Sequence, residues 1–362
     1  MAFYPKTETD LSIEKDRLLN TVTAVFAACG MPDTDAATLA GTLVHSDMRG
    51  VHSHGVLRVP DYVGKMTREG VNPAANPKVI SQKGGALVVD ADNGMGQIGG
   101  TFAMDRAISA AREHGLAYAA VRNSNHCGAL DWYAMRAAAK GMVGICGTNA
   151  LPTMAPWGGK DKIVGINPLS VACPAEQEND LVLDFAFGET AHGKIRVYHQ
   201  KGEPIPEGWA FDEDGFPTTD AGRALTGLIQ PIGAHKGIGL GMMVGILSSL
   251  LSGAGYGLET GNMVHGPTAG KDGQFYLAID IAAFVDPAEF RRRIDGIVAQ
   301  VHGSARRDGV ERLYVPGEIE AGFEAHYAAE GITLARTTVE DINAAVDSLG
   351  VAASHALPLA DE

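Results

Sequence analysis

The spacing of hydrophobic residues predicts helices near both ends of the chain and a strand-rich centre. Apolar residues recur with a helical period across residues 11–30, and a second helix is predicted from the PDTD motif to Gly50. Short apolar runs separated by Gly and Pro follow Asn123, a pattern typical of a sheet with functional loops. The same patterns predict further helices over residues 100–115, after Lys236, over Glu289–His302 and over Val339–Leu349, and strands over residues 85–91, 117–122 and 275–281.

Length and composition indicate a globular protein of more than one domain, with 362 residues, 45% hydrophobic and 20% charged. The net charge is -14 and no basic run is present, so a surface for nucleic acid is not expected. The four cysteines are far apart and form no CxxC motif, which argues against a zinc cluster and against a disulfide framework. The first residues contain no apolar signal segment, so the expected location is the cytoplasm.

One apolar segment is long enough to be compared with a membrane span. No charged residue occurs from Gly237 to Leu258, and roughly twenty apolar residues suffice to cross a bilayer. Gly241 and Gly245 also form a GxxxG pattern, which lets membrane helices approach closely. Glycines and serines dilute the segment, however, and we therefore expect a buried helix of a large enzyme and no membrane partner.

A GxGxxG motif at Gly94–Gly99 has two interpretations. It follows a predicted strand and opens a predicted helix, as a Rossmann dinucleotide-binding turn does. The next strand ends at Arg122 with no acidic residue to bind the ribose hydroxyls, although an arginine there suits a 2′-phosphate. The favoured interpretation is a glycine-rich turn that packs a helix against a sheet.

The segment from Arg49 to Arg58 carries the strongest chemical signal, since it contains two arginines, a serine and two histidines. Hydride transfer at C2 of a small acid requires a cation for the carboxylate and an acid or base of suitable pKa, which arginine and histidine provide. Two alternatives stay open. One is a solvated turn, and the other is a metal site of His45, His52 and His54, although no Cys or carboxylate pattern completes a metal shell.

Three further segments contain polar residues at positions where sites are often built. Asn123-Ser-Asn-His126 lies in a glycine-bounded turn after a predicted strand, and Asp184 ends an apolar run and therefore needs a polar partner. Gly233-Ala-His-Lys236 opens the long apolar helix, where the helix N-terminus and a lysine favour a pyrophosphate group. An ordinary helix-starting turn is the alternative at this last position.

Together these motifs resemble the malate/L-lactate dehydrogenase family that is unrelated to the Rossmann-type enzymes. Its members include sulfolactate and ureidoglycolate dehydrogenases, diketogulonate reductase and the piperideine/pyrroline-2-carboxylate reductases. The chain departs from the usual pattern at Ile166, His235 and Ile238, which bears on substrate and cofactor choice. The resemblance runs from about residue 10 to residue 350 and rests on Arg49-Gly-Val-His-Ser-His-Gly55 with Arg58 and Tyr62, Asn123-Ser-Asn-His126, Ala155-Pro-Trp-Gly-Gly159, Gly165-Ile-Asn-Pro168, Asp184-Phe-Ala186, Gly193-Lys194, Lys236-Gly-Ile-Gly239 and Tyr314-Val-Pro-Gly317.

The resemblance implies an α/β fold of the α+β-like kind, in which a non-Rossmann nicotinamide-binding domain is built on a largely antiparallel sheet. Residues 126–309 are expected to form this domain, and residues 1–125 with 310–362 a substrate and dimerisation domain. The active site is expected between them, which places the Gly94–Gly99 turn outside the cofactor site. A homodimer, a small carboxylate substrate and NAD or NADP as cofactor are implied as well, with NADPH slightly favoured.

The resemblance also implies catalytic roles. His54 is expected to donate or accept the proton at the C2 heteroatom, and His126 is the alternative acid–base residue. Ser53 and Asp184 are expected to form a relay that orients His54. The motifs do not separate 2-oxo, 2-hydroxy and cyclic 2-imino acids as substrates. A metal-dependent hydrolase or lyase that uses the three histidines at 45, 52 and 54 is the alternative from a different class.

Binding roles follow from the same resemblance. Arg58, assisted by Arg49 and Tyr62, is expected to bind the substrate carboxylate. The residues expected to contact the cofactor are Ala150, Asp184, Phe185, Ala186, His235, Lys236, Arg292, Pro316, Gly317 and Glu318.

Overall fold

The computed structural model describes residues 9–68, 70–261 and 269–360. Their helices are α1 (Lys15–Ala28), α2 (Asp33–Met48), α3 (Val59–Arg68), α4 (Gly96–His114), α5 (Asp131–Ala138), α6 (His192–Lys201), α7 (Ala221–Thr226), α8 (His235–Ser249), α9 (Pro287–His302), α10 (Glu318–Glu330) and α11 (Arg336–Ser348). Their strands are β1 (Leu11–Ile13), β2 (Lys78–Lys83), β3 (Ala86–Asp90), β4 (Leu116–Ser124), β5 (Met142–Thr148), β6 (Pro152–Met154), β7 (Val164–Gly165), β8 (Leu169–Cys173), β9 (Leu181–Phe185), β10 (Ala210–Phe211), β11 (Pro217–Thr218), β12 (Leu228–Ile229), β13 (Asp272–Asp280) and β14 (Ile332–Leu334).

A seven-stranded sheet forms the centre of the fold, in the order β2-β3-β4-β13-β5-β8-β9. Every neighbouring pair is antiparallel except β3 and β4, which confirms the expected mixed α/β fold with a largely antiparallel sheet. Successive residues of β13 point to opposite faces, because side chains alternate along a strand. Tyr276 packs with α4 and α5, whereas Phe275 packs with Val244 of α8. Helices therefore cover both faces of the sheet.

The amino- and carboxyl-terminal segments share a separate hydrophobic core. β1 pairs antiparallel with β14, and α1, α2, α3 and α11 contribute further buried residues. The central sheet contains strands from both sides of the expected boundary between residues 125 and 126, since β2, β3 and β4 precede it and β5, β8, β9 and β13 follow it. The division into residues 1–125 with 310–362 and residues 126–309 stays a prediction.

Helix α8, which was expected to be a buried helix, is buried on one face only. Its inner face contains small residues such as Gly241 and Gly245, whereas Leu240 and Met243 on the outer face are 55% and 52% exposed. The expectation is therefore wrong for the outer face. A Cβ on Gly245 would lie 2.7 Å from the Asn167 side chain, so this glycine of the GxxxG pattern serves packing within the chain. None of the described helices is long and apolar enough to cross a membrane.

Candidate active site

The turn that follows α2 is built around one buried carboxylate, that of Asp47. Its Oδ1 lies 2.7 Å from His52 Nδ1, and its Oδ2 accepts the backbone N–H of Val56 at 2.7 Å. A Cβ on Gly55 would lie only 2.1 Å from Asp47 Oδ1, so the turn requires glycine here. Burial raises the pKa of Asp47, and His52 acts against that rise. Asp47 therefore fixes the turn that contains His54, and His52 has a structural role in this turn.

His54 and His126 face each other across the candidate site. Their rings stack with 5.7 Å between centroids at an angle of 16°, and Ser53 Oγ lies 2.9 Å from His54 Nδ1. Burial lowers the pKa of His54 to about 4, with Arg58 acting in the same direction and Asp131 against it. Burial, His54 and Arg58 lower the pKa of His126 well below its usual range. Both imidazoles are therefore neutral near pH 7 and can accept a proton or donate a hydrogen bond.

A hydrogen-bond chain holds the ring of His126. Tyr62 Oη lies 2.7 Å from His126 Nδ1, and Gln97 Nε2 donates to Tyr62 Oη at 2.9 Å. The backbone N–H of Gly128 also donates to His126 Nδ1, at 3.3 Å. Tyr62 and Gln97 are completely buried. The structure thus places Tyr62, which was expected on the substrate, against the ring of His126.

The two arginines expected to bind the substrate have different surroundings. Arg58 donates through Nε to the carbonyl of Ser53 at 2.8 Å and through Nη1 to Asp61 at 3.1 Å, and its Nη2 has no hydrogen-bond partner among the described residues. Arg49 is buried, with Nε 2.7 Å from Asp131 Oδ2 and Nη1 3.3 Å from a carboxylate oxygen of Glu324. Arg58 therefore still offers a guanidinium N–H group to an anion, whereas Arg49 is occupied by carboxylates of its own chain.

The three histidines of the metal hypothesis do not converge. His45 Nε2 lies 3.4 Å from Asp131 Oδ2 and its ring packs against Trp132, while His52 contacts Asp47 and His54 contacts Ser53. Over residues 9–68, 70–261 and 269–360, no group of three or more His, Cys, Asp or Glu side chains could hold a metal ion. The described residues therefore provide no ligand set for a metal-dependent hydrolase or lyase.

Asp184 lies at the amino terminus of α5. Its Oδ2 accepts the backbone N–H groups of Leu130 and Asp131, both at 2.9 Å, and it forms no hydrogen bond with Ser53 or His54. Burial and repulsion from Asp131 raise the pKa of Asp184 to about 7. The structure therefore joins Ser53 to His54, but it ties Asp184 to the helix N-terminus instead of to the expected relay.

Ala150, which follows β5, and Phe185, the last residue of β9, were both expected to contact the cofactor. The N–H of Ala150 is bound to Asn167 Oδ1 at 2.8 Å. Phe185 packs edge-to-face on Phe187, with 4.8 Å between the ring centroids. Ala186, the residue between these two in the sequence, is half-buried. Because the Ala150 N–H already has a partner, a cofactor can use the carbonyl or the surface of this residue but not its donor.

The amino terminus of α8 has the features that a diphosphate group requires. His235 and Lys236 are the first two residues of this helix and both are exposed, and Lys236 forms no ion pair with any described residue. They follow Ala234, whose φ of 57° is unusual for a residue with a side chain. A cleft of about 500 Å³ adjoins this turn, with Trp157 and Trp209 among its lining residues. The N–H of Lys236 donates to the carbonyl of Gly233 at 3.3 Å, so the N–H groups of His235 and Gly237 and the Lys236 ammonium are the donors left for a diphosphate group, while Glu189 and Glu207 line the adjacent cleft.

The remaining expected cofactor residues have partners within the chain. The carbonyl of Pro316 accepts the N–H of Val182 in β9 at 3.1 Å, and Gly317, with a φ of 85°, is the residue directly before α10. The carboxylate of Glu318 accepts from Val315 N at 3.0 Å and from His302 Nε2 at 3.0 Å, and pairs with Arg312. Arg292 is exposed and forms an ion pair with Glu289 of the same helix at 2.8 Å. The Pro316–Gly317 turn therefore adjoins the strand that carries Asp184.

The glycines of the GxGxxG motif serve packing. A Cβ on Gly96 would lie 2.1 Å from the carbonyl oxygen of Asn125, and one on Gly99 would lie 2.8 Å from the Ala91 Cβ. Arg122, which suited a 2′-phosphate, is paired instead with Asp90 at 3.3 Å. The turn brings α4 against the sheet and against the loop that precedes His126, as the favoured interpretation expected.

Sequence reasoning missed three residues that shape this site: Asp47, Gln97 and Asp131. Asp47 and Asp131 each lie within a helix, where an acidic residue ordinarily faces solvent, so no local signal distinguished them. Gln97 occupies the interior of the GxGxxG motif, whose glycines drew attention to cofactor binding and away from the amide between them.

Comparison with known proteins gives consistent similarities over nearly the whole chain. Residues 13–343 match the family described as malate/L-lactate dehydrogenase. A malate dehydrogenase of Pyrococcus horikoshii is 36% identical over 355 residues, which cover 95% of this chain and 97% of that protein. A ureidoglycolate dehydrogenase (NAD(+)) of Escherichia coli is 30% identical over 333 residues, which cover 92% of this chain and 94% of that protein. The names of relatives specify NAD(+) in some cases and NADP(+) in others.

A solved structure supports the same relationship at the level of the fold. The sulfolactate dehydrogenase of Methanocaldococcus jannaschii superposes with a TM-score of 0.88 at 33% identity, covering 94% of this chain and 98% of that one. The superposition therefore covers nearly all of both chains.

Proposed function

Because the chain belongs to the malate/L-lactate dehydrogenase family and is an NAD(P)-dependent oxidoreductase, we propose that it transfers a hydride to or from C2 of a small 2-oxo or 2-hydroxy acid or a cyclic 2-imino acid. The observation that carries this proposal is the stacked, neutral pair of His54 and His126 near Arg58. This arrangement provides an anchor for a carboxylate and an acid–base group for the atom attached to C2.

Arg58 is proposed to bind the substrate carboxylate through its Nη2, the guanidinium nitrogen without a partner among the described residues. A carboxylate bound there offsets the effect of Arg58 on His54 and raises the pKa of His54 in the complex. His54 then takes the proton of the C2 hydroxyl during oxidation and returns a proton during reduction. Ser53, in contact with Nδ1, orients the ring so that Nε2 is left for the substrate.

A nicotinamide cofactor supplies or accepts the hydride when it is bound, since no amino-acid side chain can do so. Lys236, His235 and the N–H groups that open α8 are proposed to hold its diphosphate. Further contacts are proposed from Ala150, Asp184, Phe185, Ala186, Pro316, Gly317, Glu318 and Arg292. Phe185 and Pro316 support this set, because Phe185 is the last residue of β9 and the carbonyl of Pro316 accepts the N–H of Val182 in the same strand.

The proposal is tested with a substrate panel. Purified protein is given simple 2-oxo acids, malate-like and lactate-like 2-hydroxy acids and cyclic imines, each with NAD or NADP in the matching redox state, and the nicotinamide absorbance is followed. We expect turnover of at least one panel member, unaffected by a chelator, with NADPH tested first. Loss of activity on chelation, or no reaction of any member with well-folded protein, contradicts the proposed function.

We also propose a homodimer in which two copies meet through the outer face of α8. This α8 apolar face consists of Leu240, Met243 and Leu247 of the helix and Leu250 and Leu251 directly after it, each between 39% and 60% exposed. Large apolar residues ordinarily occupy the inner face of a surface helix, so the reversed arrangement in α8 indicates a covered face. Residues 237–258 carry no charge in a chain of net charge -14, so two copies can meet here without like-charge repulsion.

Analytical ultracentrifugation tests the dimer. The wild type is expected to sediment as a dimer, and Met243→Glu combined with Leu247→Glu as a monomer. Phe284→Glu is the matched control, because Phe284 is 64% exposed but lies outside the α8 apolar face. A monomeric wild type, or an unchanged mass of the double variant, contradicts this interface.

The cytoplasm is the proposed location. All four cysteines are free thiols, and Cys127 and Cys146 are buried without forming a disulfide. Free thiols of this kind suit a reducing compartment. Fractionation of cells that express the protein, followed by detection of the chain in each fraction, tests the location.

A further inference from the structure

The ring nitrogen Nδ1 of His126 is approached by two hydrogen-bond donors. The backbone N–H of Gly128, which can only donate, lies 3.3 Å from Nδ1. Tyr62 Oη lies 2.7 Å from the same atom and itself accepts the Nε2–H of Gln97 at 2.9 Å. Because the Tyr62 oxygen already receives one proton from Gln97, its own hydroxyl proton is directed to Nδ1. Both donors therefore require an unprotonated Nδ1.

An unprotonated Nδ1 fixes the state of the whole ring. A neutral imidazole carries its proton on one nitrogen only, so His126 must carry it on Nε2. Protonation of Nδ1 would bring two N–H groups, those of the ring and of Gly128, against each other. It would also force the Tyr62 hydroxyl to turn away inside a fully buried environment, where an unpaired donor is costly. The surroundings thus oppose both the other tautomer and the imidazolium ion.

Gln97, the first residue of the hydrogen-bond chain to His126, belongs to the GxGxxG motif. Gly96 lies directly against the loop before His126, and a Cβ on Gly96 would lie only 2.1 Å from Asn125 O. The N–H of Gly96 donates to the carbonyl of His126 at 3.2 Å. Gln97, the next residue, is buried and reaches Tyr62 across the helix start. The motif therefore aligns an amide with the acid–base pair, a role distinct from cofactor binding.

We propose that Gln97 is a positioning residue that acts through Tyr62 to hold His126 as the neutral Nε2–H tautomer. His126 then presents a fixed N–H donor to the oxygen or nitrogen at C2, and proton transfer belongs to His54 alone. Nε2 of His126 forms no hydrogen bond with any described residue, and its ring stacks on that of His54, so the donor is available beside the proposed acid–base group. This inference rests on the proposed function for the role of the two histidines in turnover, but the tautomer itself does not depend on it.

The tautomer is tested by nuclear magnetic resonance of protein labelled with nitrogen-15 in histidine, with the His126 signals assigned from a His126→Gln variant. The ring nitrogen shifts distinguish a nitrogen that carries a proton from one that does not. In the wild type we expect the proton on Nε2 near pH 7. Gln97→Glu replaces the donor by an acceptor of almost the same shape, so it should draw the Tyr62 proton away and shift protonation toward Nδ1.

Kinetics provide the second measurement. Gln97→Glu is expected to raise the pKa of His126 by about one unit or more, as a nearby carboxylate does, and to lower kcat with little change in KM. Tyr62→Phe interrupts the same hydrogen-bond chain without adding a charge, so His126 should no longer be held in the Nε2–H tautomer. This variant keeps the test valid if Gln97→Glu does not fold. Gln274→Met is the matched control, because Gln274 is equally buried and donates to Asn125 O at 3.1 Å but does not reach Tyr62.

The outcomes separate this inference from the proposed function. A wild-type proton on Nδ1, or variants at Gln97 and Tyr62 whose spectra and pH profiles match those of the wild type and of Gln274→Met, overturns the inference. The spectra need no substrate, so they decide the tautomer even if no panel compound reacts. If the substrate panel succeeds and these variants change nothing, only the role of Gln97 is lost.

Discussion

Asp184 Oδ2 accepts the backbone N–H of Asp131 at 2.9 Å, which joins strand β9 to the first residue of α5. The two carboxyl groups differ in acidity. Burial and the charge of Asp131 raise the pKa of Asp184 to about 7, whereas His45 and Arg49 outweigh burial and hold the pKa of Asp131 at about 2. Near neutral pH, Asp131 is thus a permanent anion and Asp184 a group that titrates.

Titration of Asp184 should make the free energy of unfolding depend on pH. An acid whose pKa is raised on folding destabilises the fold as pH increases from its unfolded value, 3.8, toward its folded value of about 7. Asp184→Asn keeps an oxygen acceptor but cannot ionise. We therefore expect the stability of the wild type, relative to this variant, to decline as the pH rises from about 4 to about 7, the interval between the two pKa values.

Urea unfolding at several pH values provides the measurement. Asp295→Asn is the control, because Asp295 accepts three backbone N–H groups and its pKa is lowered below 3.8. The difference in the free energy of unfolding between the wild type and Asp295→Asn should therefore stay constant over the same pH range. A flat difference for Asp184→Asn as well would contradict a raised pKa at Asp184.

His54 should control proton transfer. His54→Ala is expected to reduce turnover by roughly 100-fold or more, the usual scale for loss of a general acid or base, while cofactor affinity is retained. In the wild type, kcat/KM for oxidation of the hydroxy acid should not fall as pH drops through 6.5, because burial lowers the pKa of His54 to about 4 and the ring stays neutral. Near-normal turnover of His54→Ala would transfer the role to His126.

Arg58 and Arg49 should respond differently to substitution. Arg58→Lys keeps the charge but loses the planar donor group, so we expect a raised KM for the carboxylate substrate and unchanged stability. Arg49→Met leaves the buried carboxylate of Asp131 without its closest cationic partner and should lower the free energy of unfolding by about 3–5 kcal/mol. Steady-state kinetics and urea unfolding on both variants separate the two roles. An unchanged KM for Arg58→Lys would make Arg58 structural.

Lys236 should contribute to cofactor affinity. Lys236→Gln is expected to weaken NADH or NADPH binding at low salt, and the difference from the wild type should shrink at high salt, where a charge contact is screened. Arg122→Gln is the control, because Arg122 is paired with Asp90 and should leave cofactor affinity intact. Equal affinities of wild type and Lys236→Gln in fluorescence titrations at low salt would remove Lys236 from the site.

Local sequence patterns predicted much of the fold. The helices α2, α9 and α11 and the strands β3 and β4 occur where apolar periodicity and turn residues indicated them, within a few residues. Two elements escaped for physical reasons. Leu11–Ile13 continues a helical pattern but pairs with β14 at the far end of the chain, and α10 buries only Tyr327, so its apolar pattern is weak.

The sequence by itself determined the motifs, the family resemblance and the chemical types of the site residues, because these depend on the order of residues alone. Only the tertiary structure decided their partners. Arg49 meets Asp131 from 82 positions away, and Asp184 meets Leu130 from 54 positions away. Whether an arginine binds substrate or a buried carboxylate depends on which groups folding brings within hydrogen-bond distance, and a linear pattern carries no information on distances between segments so far apart.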